Sequence, residues 1–521
     1  MTQQKSEGRV VPEGRRKAVP TRPREGGKAI PVEEAEPQLS MGFATAEIPR
    51  QRGAEGMARA DRSVRTTQKV PKAKDTRRQV VPATMEKVVE QLAAALDKVV
   101  ANKGASGPDR QTVDEVREHW PTIHRTLSAA LLEGSYLPGE IRRVWIPKAG
   151  GGQRGLGIPN VVDRVVQEAV RSVLEPMYEP TFHASSHGFR PNRSCHTAIA
   201  EACSHVREGF AWVVDIDLEK FFDRVHHQRL LSRLAERVTD SRLLALIGRM
   251  LKAAVVMPEG VRVHTEEGVP QGGPLSPLLS NIVLSELDEE LARRSHRFVR
   301  YADDCNIYVR SERAGERVMA SVTRFIDRRL RLRVNADKSA VARPETRHFL
   351  GFRLRPHVGD EPEVLLSERS VKRLKERIRE LTPRARGQSL ATVIGEINRY
   401  LEGWLGFFGV CTRGVSQVVG SVDAHIRRRL RALILRHWKT KRTIARRLIR
   451  LGVRRQKVWD RIYEGRQSLW ALSHSSVVDR GLRNAYFAEQ GLVSLQARLA
   501  STWSTIVAPA QLELTWGSKR S

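Results

Sequence analysis

Residues 298–310 read FVRYADDCNIYVR, two short apolar runs on either side of the pair Asp303–Asp304. The flanking runs, 298–301 and 306–309, have strand character, and successive strand side chains point to opposite faces. Adjacent carboxylates therefore converge only at a bend, which places the pair at the tip of a hairpin. Two bare carboxylates repel each other, and a neighbouring cation relieves that repulsion. Alone, such a pair is an ordinary solvated turn. Chemistry requires a second acidic element.

Residues 213–223, VVDIDLEKFFD, supply one. The run 211–217 reads as a strand that passes into an amphipathic helix carrying Leu218, Phe221, Phe222, Val225, Leu230 and Leu231. Asp215 and Asp217 stand two apart and share a face, with Asp217 at the strand's open end. An acidic strand end facing an acidic hairpin tip suits two-metal phosphoryl transfer, in which the ions sit about 3.5–4 Å apart. Mg²⁺ prefers oxygen ligands and keeps waters and substrate phosphates in its shell. Between the two acidic elements lies GVPQGGPLSP, residues 268–277, whose glycines allow close backbone approach to a ligand.

The charge balance names the partner class. Of 521 residues, 90 are Lys or Arg and 59 are Asp or Glu, a formal net charge of +31. Such an excess fits a polyanion, because neutralising phosphates releases counterions. The four cysteines form no C-x-x-C pair, so neither a zinc module nor a disulfide framework is expected, and a reduced cytoplasmic protein is. No apolar run approaches the roughly 18 residues of a membrane span, and no secretory leader is read at the N-terminus. Residues 1–82 hold 18 Lys or Arg and 10 Asp or Glu without periodicity, and read as a disordered basic N-terminal extension. Strands alternate with helices as far as about residue 355, and helices alone follow, which indicates an α/β part and then an all-α part.

These segments together resemble a known family. Tyr301-Ala302-Asp303-Asp304 resembles the Y-x-D-D box of reverse transcriptases, and residues 217–223, DLEKFFD, resemble that family's earlier acidic motif. The resemblance implies that Asp217, Asp303 and Asp304 are the catalytic metal ligands and that Asp215 is structural or outer-shell. It implies two Mg²⁺ ions, with Mn²⁺ as an alternative, and a primer 3′-hydroxyl as nucleophile. Phe222 matches the aromatic residue that excludes a ribose 2′-hydroxyl, although an ordinary core aromatic reads equally well there. Residues 268–277 match the family's Q-G-x-x-x-S-P loop, with Gln271 near the incoming nucleotide. Residues 146–167 resemble its fingers, where Lys148 and Arg154 would grip the triphosphate; this chain has Arg154-Gly155-Leu156 where Arg-Pro-Leu is usual, which is expected to loosen that loop. Residues 187–194, HGFRPNRS, match a further fingers motif in which Arg190 and Arg193 touch template or hold the fingers together. Residues 335–339, NADKS, bring Lys338 as another phosphate contact, and residues 349–352, FLGF, match the last palm motif, with core Phe and Leu. Residues 102–109 resemble a block found in the intron and non-LTR branch.

The C-terminal part narrows the branch. Residues 396–408 and 426–452 resemble the thumb and maturase domain of group II intron proteins. Residues 421–452 hold eleven Lys or Arg and one acid, with Leu430, Leu433, Ile434 and Trp438 forming an apolar stripe. A helix packed on one side and basic on the other faces phosphate. Arg427, Arg428, Arg429, Arg431, Lys439, Lys441 and Arg442 are the candidate RNA contacts. The Cys and His clusters of an HNH nuclease are not seen. The resulting expectation is an α/β right-hand polymerase, fingers and palm over 83–355, followed by an all-α thumb and maturase region over 356–521. Its partners would be group II intron RNA, an RNA template with a DNA primer or target, and dNTPs, with a homodimer left open. Two alternatives stand beside it: a domesticated reverse transcriptase, and a splicing factor whose polymerase has decayed.

Overall fold

The computed structural model describes residues 82–147, 152–264, 266–357, 361–383, 387–465 and 467–502. The basic extension, apart from Pro82, and Lys148 lie outside them. Among the described residues the strands are β1 (Ile141–Pro147), β2 (Gln153–Ile158), β3 (Trp212–Ile216), β4 (Val255–Val256), β5 (Arg262–Val263), β6 (Arg297–Tyr301), β7 (Asp304–Val309), β8 (Ala340–Ala342), β9 (Phe352–Arg355) and β10 (Glu363–Leu366). They form a four-stranded sheet of order β6-β7-β3-β8, another of order β2-β1-β4-β5, and the pair β10-β9.

The β6-β7-β3-β8 sheet is covered on both sides, and its sequence shows why. Val214, Ile216, Phe298, Cys305, Ile307 and Val309 enter one apolar core, together with residues from Ala83 to Leu332. Their neighbours Val213, Val299 and Tyr308 enter a second core, shared with the C-terminal helices out to Leu499. Strands buried on both faces read as continuous apolar runs, as 212–216 and 305–309 do, apart from Asp215 and Asn306. This sheet thus joins the two parts of the chain through its two faces. Strands persist to Leu366, beyond the expected boundary at 355, and from Glu368 onward the described chain is helical. None of the described helices is long and apolar enough to cross a membrane.

Two local expectations change. The continuous helix expected after Asp217 is broken: Phe221–Asp223 is a short 3-10 turn, and the α-helix begins only at His227. Lys220 is left-handed at φ 50°, because Leu218 bridges to Val334 and the Glu219 N–H donates to the Arg333 carbonyl at 2.8 Å. Residues 349–352, within the stretch read as alternating strands and helices, form a tight turn, and the strand begins only at Phe352. Phe349 and Phe352 exchange both backbone hydrogen bonds, with Leu350 and Gly351 at φ 51° and 94°. Both phenylalanines are buried, as expected.

Candidate active site

The register between β3 and β7 pairs Asp215 with Asn306 and Ile216 with Cys305. One step further sets Asp217 opposite Asp304. Strand β6 meets β7 through Tyr301 and Asp304, so Ala302 and Asp303 form a two-residue turn with Ala302 at φ 57°. The hairpin tip and the strand end therefore come together as the sequence predicts.

Their electrostatics are those of crowded negative charge. Burial of the carboxyl group, and then the charges of Asp303, Asp215 and Asp217, push Asp304 up to about 7, although the residue as a whole is exposed. Burial and the Asp217 charge likewise raise Asp303, against the pull of Arg154 and Lys338. The Lys338 ammonium lies 3.4 Å from Asp217 Oδ1 and is 62% exposed, so it can move aside. Asp215 is engaged differently. Its carboxylate takes two bonds from Arg347, at 2.6 and 2.9 Å, and Arg347 also donates to the Lys338 carbonyl at 2.6 Å. The Asp217 N–H donates to Ser339 Oγ at 3.0 Å, and the Asn335 N–H donates to the Asp217 carbonyl at 2.8 Å. Asp215 and the Asp217 backbone thus anchor the 335–339 loop, while the Asp217 carboxylate meets the exposed Lys338.

Among the described residues no three carboxylate, histidine or cysteine side chains form a ready-made cage for an ion. Mg²⁺ does not require one, since it binds through one or two carboxylates plus waters and substrate phosphates. Carboxyls that burial and neighbouring negative charges hold above their usual range would suit that kind of ion.

One prediction follows from the proton balance of Asp304. Its carboxyl titrates near 3.9 in an unfolded chain and near 7 when folded. Between these values the folded state holds more protons, so its stability falls as pH rises, and the loss is complete above about 7. In chelator, Asp304→Asn should melt no higher than the parent at pH 4. Its advantage should grow across pH 4–7 and level off by pH 8 at a few degrees, on the order expected for a partly exposed group. A pH-independent difference between the two melting curves would refute this.

The supporting residues were not legible in the sequence. Arg300 is fully buried and engages all five donors. Its Nε and Nη2 grip Asp288 at 2.7 and 2.6 Å, Nη2 also reaches Ser186 Oγ at 2.7 Å, and Nη1 donates to Asn281 Oδ1 at 3.0 Å and to the Ala302 carbonyl at 2.9 Å. The Ala302–Asp303 turn is therefore held from beneath by a buried ion pair. The available signal was an arginine inside an apolar strand.

The 268–277 loop lies against β2. The Gly157 N–H donates to the Gln271 carbonyl at 2.6 Å. Gly272 sits at φ 128°, where a Cβ would come within 2.4 Å of the Gly157 carbonyl, so only glycine fits. The Phe222 carbonyl accepts from the Val269 N–H at 2.6 Å, and its ring is half-buried against Phe221. Arg154 is exposed on β2, and its charge is felt by Asp303. Gly155 is not in a loosened loop. It lies within β2 opposite Trp145, with Arg143 Nη1 bonded to its carbonyl at 3.0 Å.

Comparison with known proteins agrees with this geometry. Residues 146–354 match the family described as reverse transcriptase (RNA-dependent DNA polymerase), and residues 371–452 match the group II intron maturase-specific domain. Protein YkfC of Escherichia coli is 34% identical over 308 residues, 51% of this chain and 80% of that protein. Group II intron-encoded protein LtrA of Lactococcus lactis is 40% identical over 210 residues, 40% of this chain and 34% of that protein. The chain belongs to the group II intron reverse transcriptase and maturase family. Nuclear intron maturase 4 of Arabidopsis thaliana is similar over a shorter stretch, 36% identical over 142 residues, 27% of this chain and 18% of that protein. The chain thus spans four-fifths of YkfC and about a third of LtrA.

Within the maturase-specific region the basic residues divide into two groups. On the helix Ser416–His437, Arg431 is buried, donates to the Leu482 carbonyl at 2.9 Å and pairs with Asp479 at 2.5 Å. Arg429 donates to the Thr382 carbonyl at 2.6 Å, and Arg428 stacks over Trp470 at 4.0 Å. The one acid of this run, Asp423, is buried and accepts from Ser494, Leu495 and Gln496. Arg427 is half-exposed, Lys439 and Arg442 are exposed, and Lys441 donates to the Gly465 carbonyl at 3.1 Å. The open cations lie further on, along the helices Lys441–Arg450 and Arg455–Tyr463, where Arg446, Arg447, Arg450, Arg454, Arg455 and Lys457 are exposed. On the first helix Arg428, Arg429 and Arg431 bind it to its neighbours while Arg427 is half-exposed and Arg436 exposed, and the exposed cations continue through Lys439 and Arg442 onto the next two helices.

Arg190 and Arg193 are similarly committed. Arg190 is 5% exposed and donates to Glu179, to the His183 carbonyl at 2.6 Å and to the Ser186 carbonyl at 2.7 Å. Arg193 donates to the Ala184 carbonyl at 2.6 Å. Both arginines thus bond within their own stretch, residues 179–193.

Proposed function

We propose that this chain copies RNA into DNA at Asp217, Asp303 and Asp304, and that it binds group II intron RNA to assist splicing and intron mobility in the cytoplasm. The observation that carries the polymerase reading is the convergence of Asp217, at the β3 end, with Asp303 and Asp304 at the β6–β7 turn, where burial and neighbouring charges raise both carboxyls of the turn. Asp217, Asp303 and Asp304 would hold two Mg²⁺ ions, or Mn²⁺. The metal pair would activate the primer 3′-hydroxyl and steady the leaving phosphate oxygens. Lys338 would leave Asp217 for a phosphate of the incoming dNTP, and Arg154, with Lys148, would grip the triphosphate from the β1–β2 side. Gln271 and Phe222 would bound the nucleotide, Phe222 from the sugar side. In the right-hand description, β1–β2 with residues 179–194 are fingers, the β6-β7-β3-β8 sheet is palm, and the helices from Glu368 are thumb and maturase region.

The deciding experiment is primer extension on an RNA template with a DNA primer, dNTPs and Mg²⁺. Extension that vanishes in chelator and in Asp303→Ala supports the reading. A wild-type chain that binds intron RNA and promotes splicing yet never extends a primer would overturn it.

The exposed basic face yields a separate prediction. Arg446 and Arg450 are one helical turn apart on one side of their helix. Changing both to Gln should weaken intron RNA binding and flatten the dependence of log K on log salt by about 0.7–0.9 for each phosphate that is no longer neutralised. Arg431→Gln should instead lower the melting temperature, because it strips a buried carbonyl and Asp479 of their partner. The reverse pattern would return the RNA-facing role to the first helix.

A further inference from the structure

The turn of residues 187–193 inverts the usual distribution of side chains. Its Arg190 side chain is turned inward, whereas Phe189 is 50% exposed. Phe189 also has φ 58°, a left-handed backbone that a bulky residue rarely adopts. Asn192, at φ 59°, repeats the conformation nearby, but asparagine tolerates it. A strained backbone of this kind persists only where its surroundings over-determine it.

Those surroundings are explicit. The His187 N–H donates to the Arg300 carbonyl at 2.8 Å, and Asn281 Nδ2 donates to the Gly188 carbonyl at 2.8 Å. Arg190 clasps the far side of the turn. Gly188 lies so close to the catalytic turn that a Cβ there would sit 2.3 Å from the Ala302 nitrogen. The strained backbone and the catalytic turn are thus fixed to each other through shared partners, Arg300 and Asn281. What they present outward is one aromatic ring, centred 6.5 Å from the Tyr301 ring.

We infer that Phe189 is a substrate-contact residue, its ring bearing on a nucleotide of the template–primer beside the catalytic turn. This rests on the polymerase reading. An aromatic ring is suited to that position because every base and sugar offers an apolar face, so the interaction tolerates any sequence, as copying requires. An exposed phenylalanine with no such role would gain nothing from a left-handed backbone.

The test uses the full chain. Template–primer affinity is measured by fluorescence anisotropy for Phe189→Ala, Phe189→Gly and Phe189→Tyr, each in the Asp303→Ala background so that chemistry plays no part. Steady-state extension is measured in the parent background. Phe189→Ala and Phe189→Gly should weaken template–primer binding about tenfold, the scale of removing one aromatic ring from a base, and raise its KM similarly, while the KM for dNTP changes less than about twofold. Phe189→Tyr should restore most of the affinity. Phe189→Gly should melt at or above the parent temperature, since glycine accepts the left-handed backbone. Unchanged affinity in both small-residue variants overturns the inference, and so does a fall in melting temperature that accounts for the weaker binding. A wild-type chain that does not extend primers would overturn the polymerase reading instead, and the anisotropy series still decides whether Phe189 touches nucleic acid.

Discussion

Asp303→Ala should reduce RNA-templated primer extension by about a hundred- to a thousandfold, the scale of deleting one preorganised charge-stabilising group, while melting no lower than the parent. The two effects have one cause. Burial and the Asp217 charge hold the Asp303 carboxyl above its usual range, so in the absence of a cation it is a liability to the fold. Removing it relieves that repulsion and at the same time removes an oxygen donor that a divalent ion would need. Asp215→Asn serves as the contrast. It weakens a two-bond contact with Arg347 and should lower the melting temperature, with any loss of extension following from a displaced 335–339 loop. If Asp303→Ala retained more than a tenth of the activity, or melted well below the parent, the carboxylate would be structural and another group would have to bind the ion.

The acidic centre was legible in the sequence because its chemistry prescribes residue types, and because strand alternation fixes where they point. Asp215 could be set apart from Asp217 only by its place in the motif; the structure supplies the physical reason, which is Arg347. Arginine gave the poorest guidance. A positive charge in a sequence marks equally well a side chain facing phosphate and one buried on a carbonyl. Arg300, Arg429 and Arg431 find their partners at Ser186, Thr382 and Leu482, distant in the chain, and no local pattern announces such pairings. The helix expected through residues 218–226 failed for a related reason: pairing of Leu218 with Val334 overrides a local helical period. At residues 349–352 the apolar types were right, and both phenylalanines are core, but two consecutive positive φ angles make a turn that Leu350 gives no hint of.

The second large effect concerns Arg300. Asp288→Ala should destabilise the protein by about 3–5 kcal/mol, the usual consequence of leaving one member of a buried ion pair alone. Both side chains are fully enclosed, with none of the pair open to solvent. Activity should fall as well, but a destabilised enzyme loses activity for trivial reasons, so the informative variant is the double one. Asp288→Leu with Arg300→Met replaces the pair by apolar groups of similar reach, an exchange that elsewhere is often neutral or stabilising. It should recover most of the lost stability. It cannot restore the bonds from Arg300 to the Ala302 carbonyl, Asn281 and Ser186. The turn that carries Asp303 would then be free to relax from the left-handed Ala302 backbone it now holds at φ 57°. Extension should therefore stay low, with a reduced kcat at saturating template–primer and dNTP, even though the melting temperature has returned. If the double variant regained both stability and kcat, the pair would be no more than core packing, and the aim of Asp303 and Asp304 would have to be set by the sheet alone.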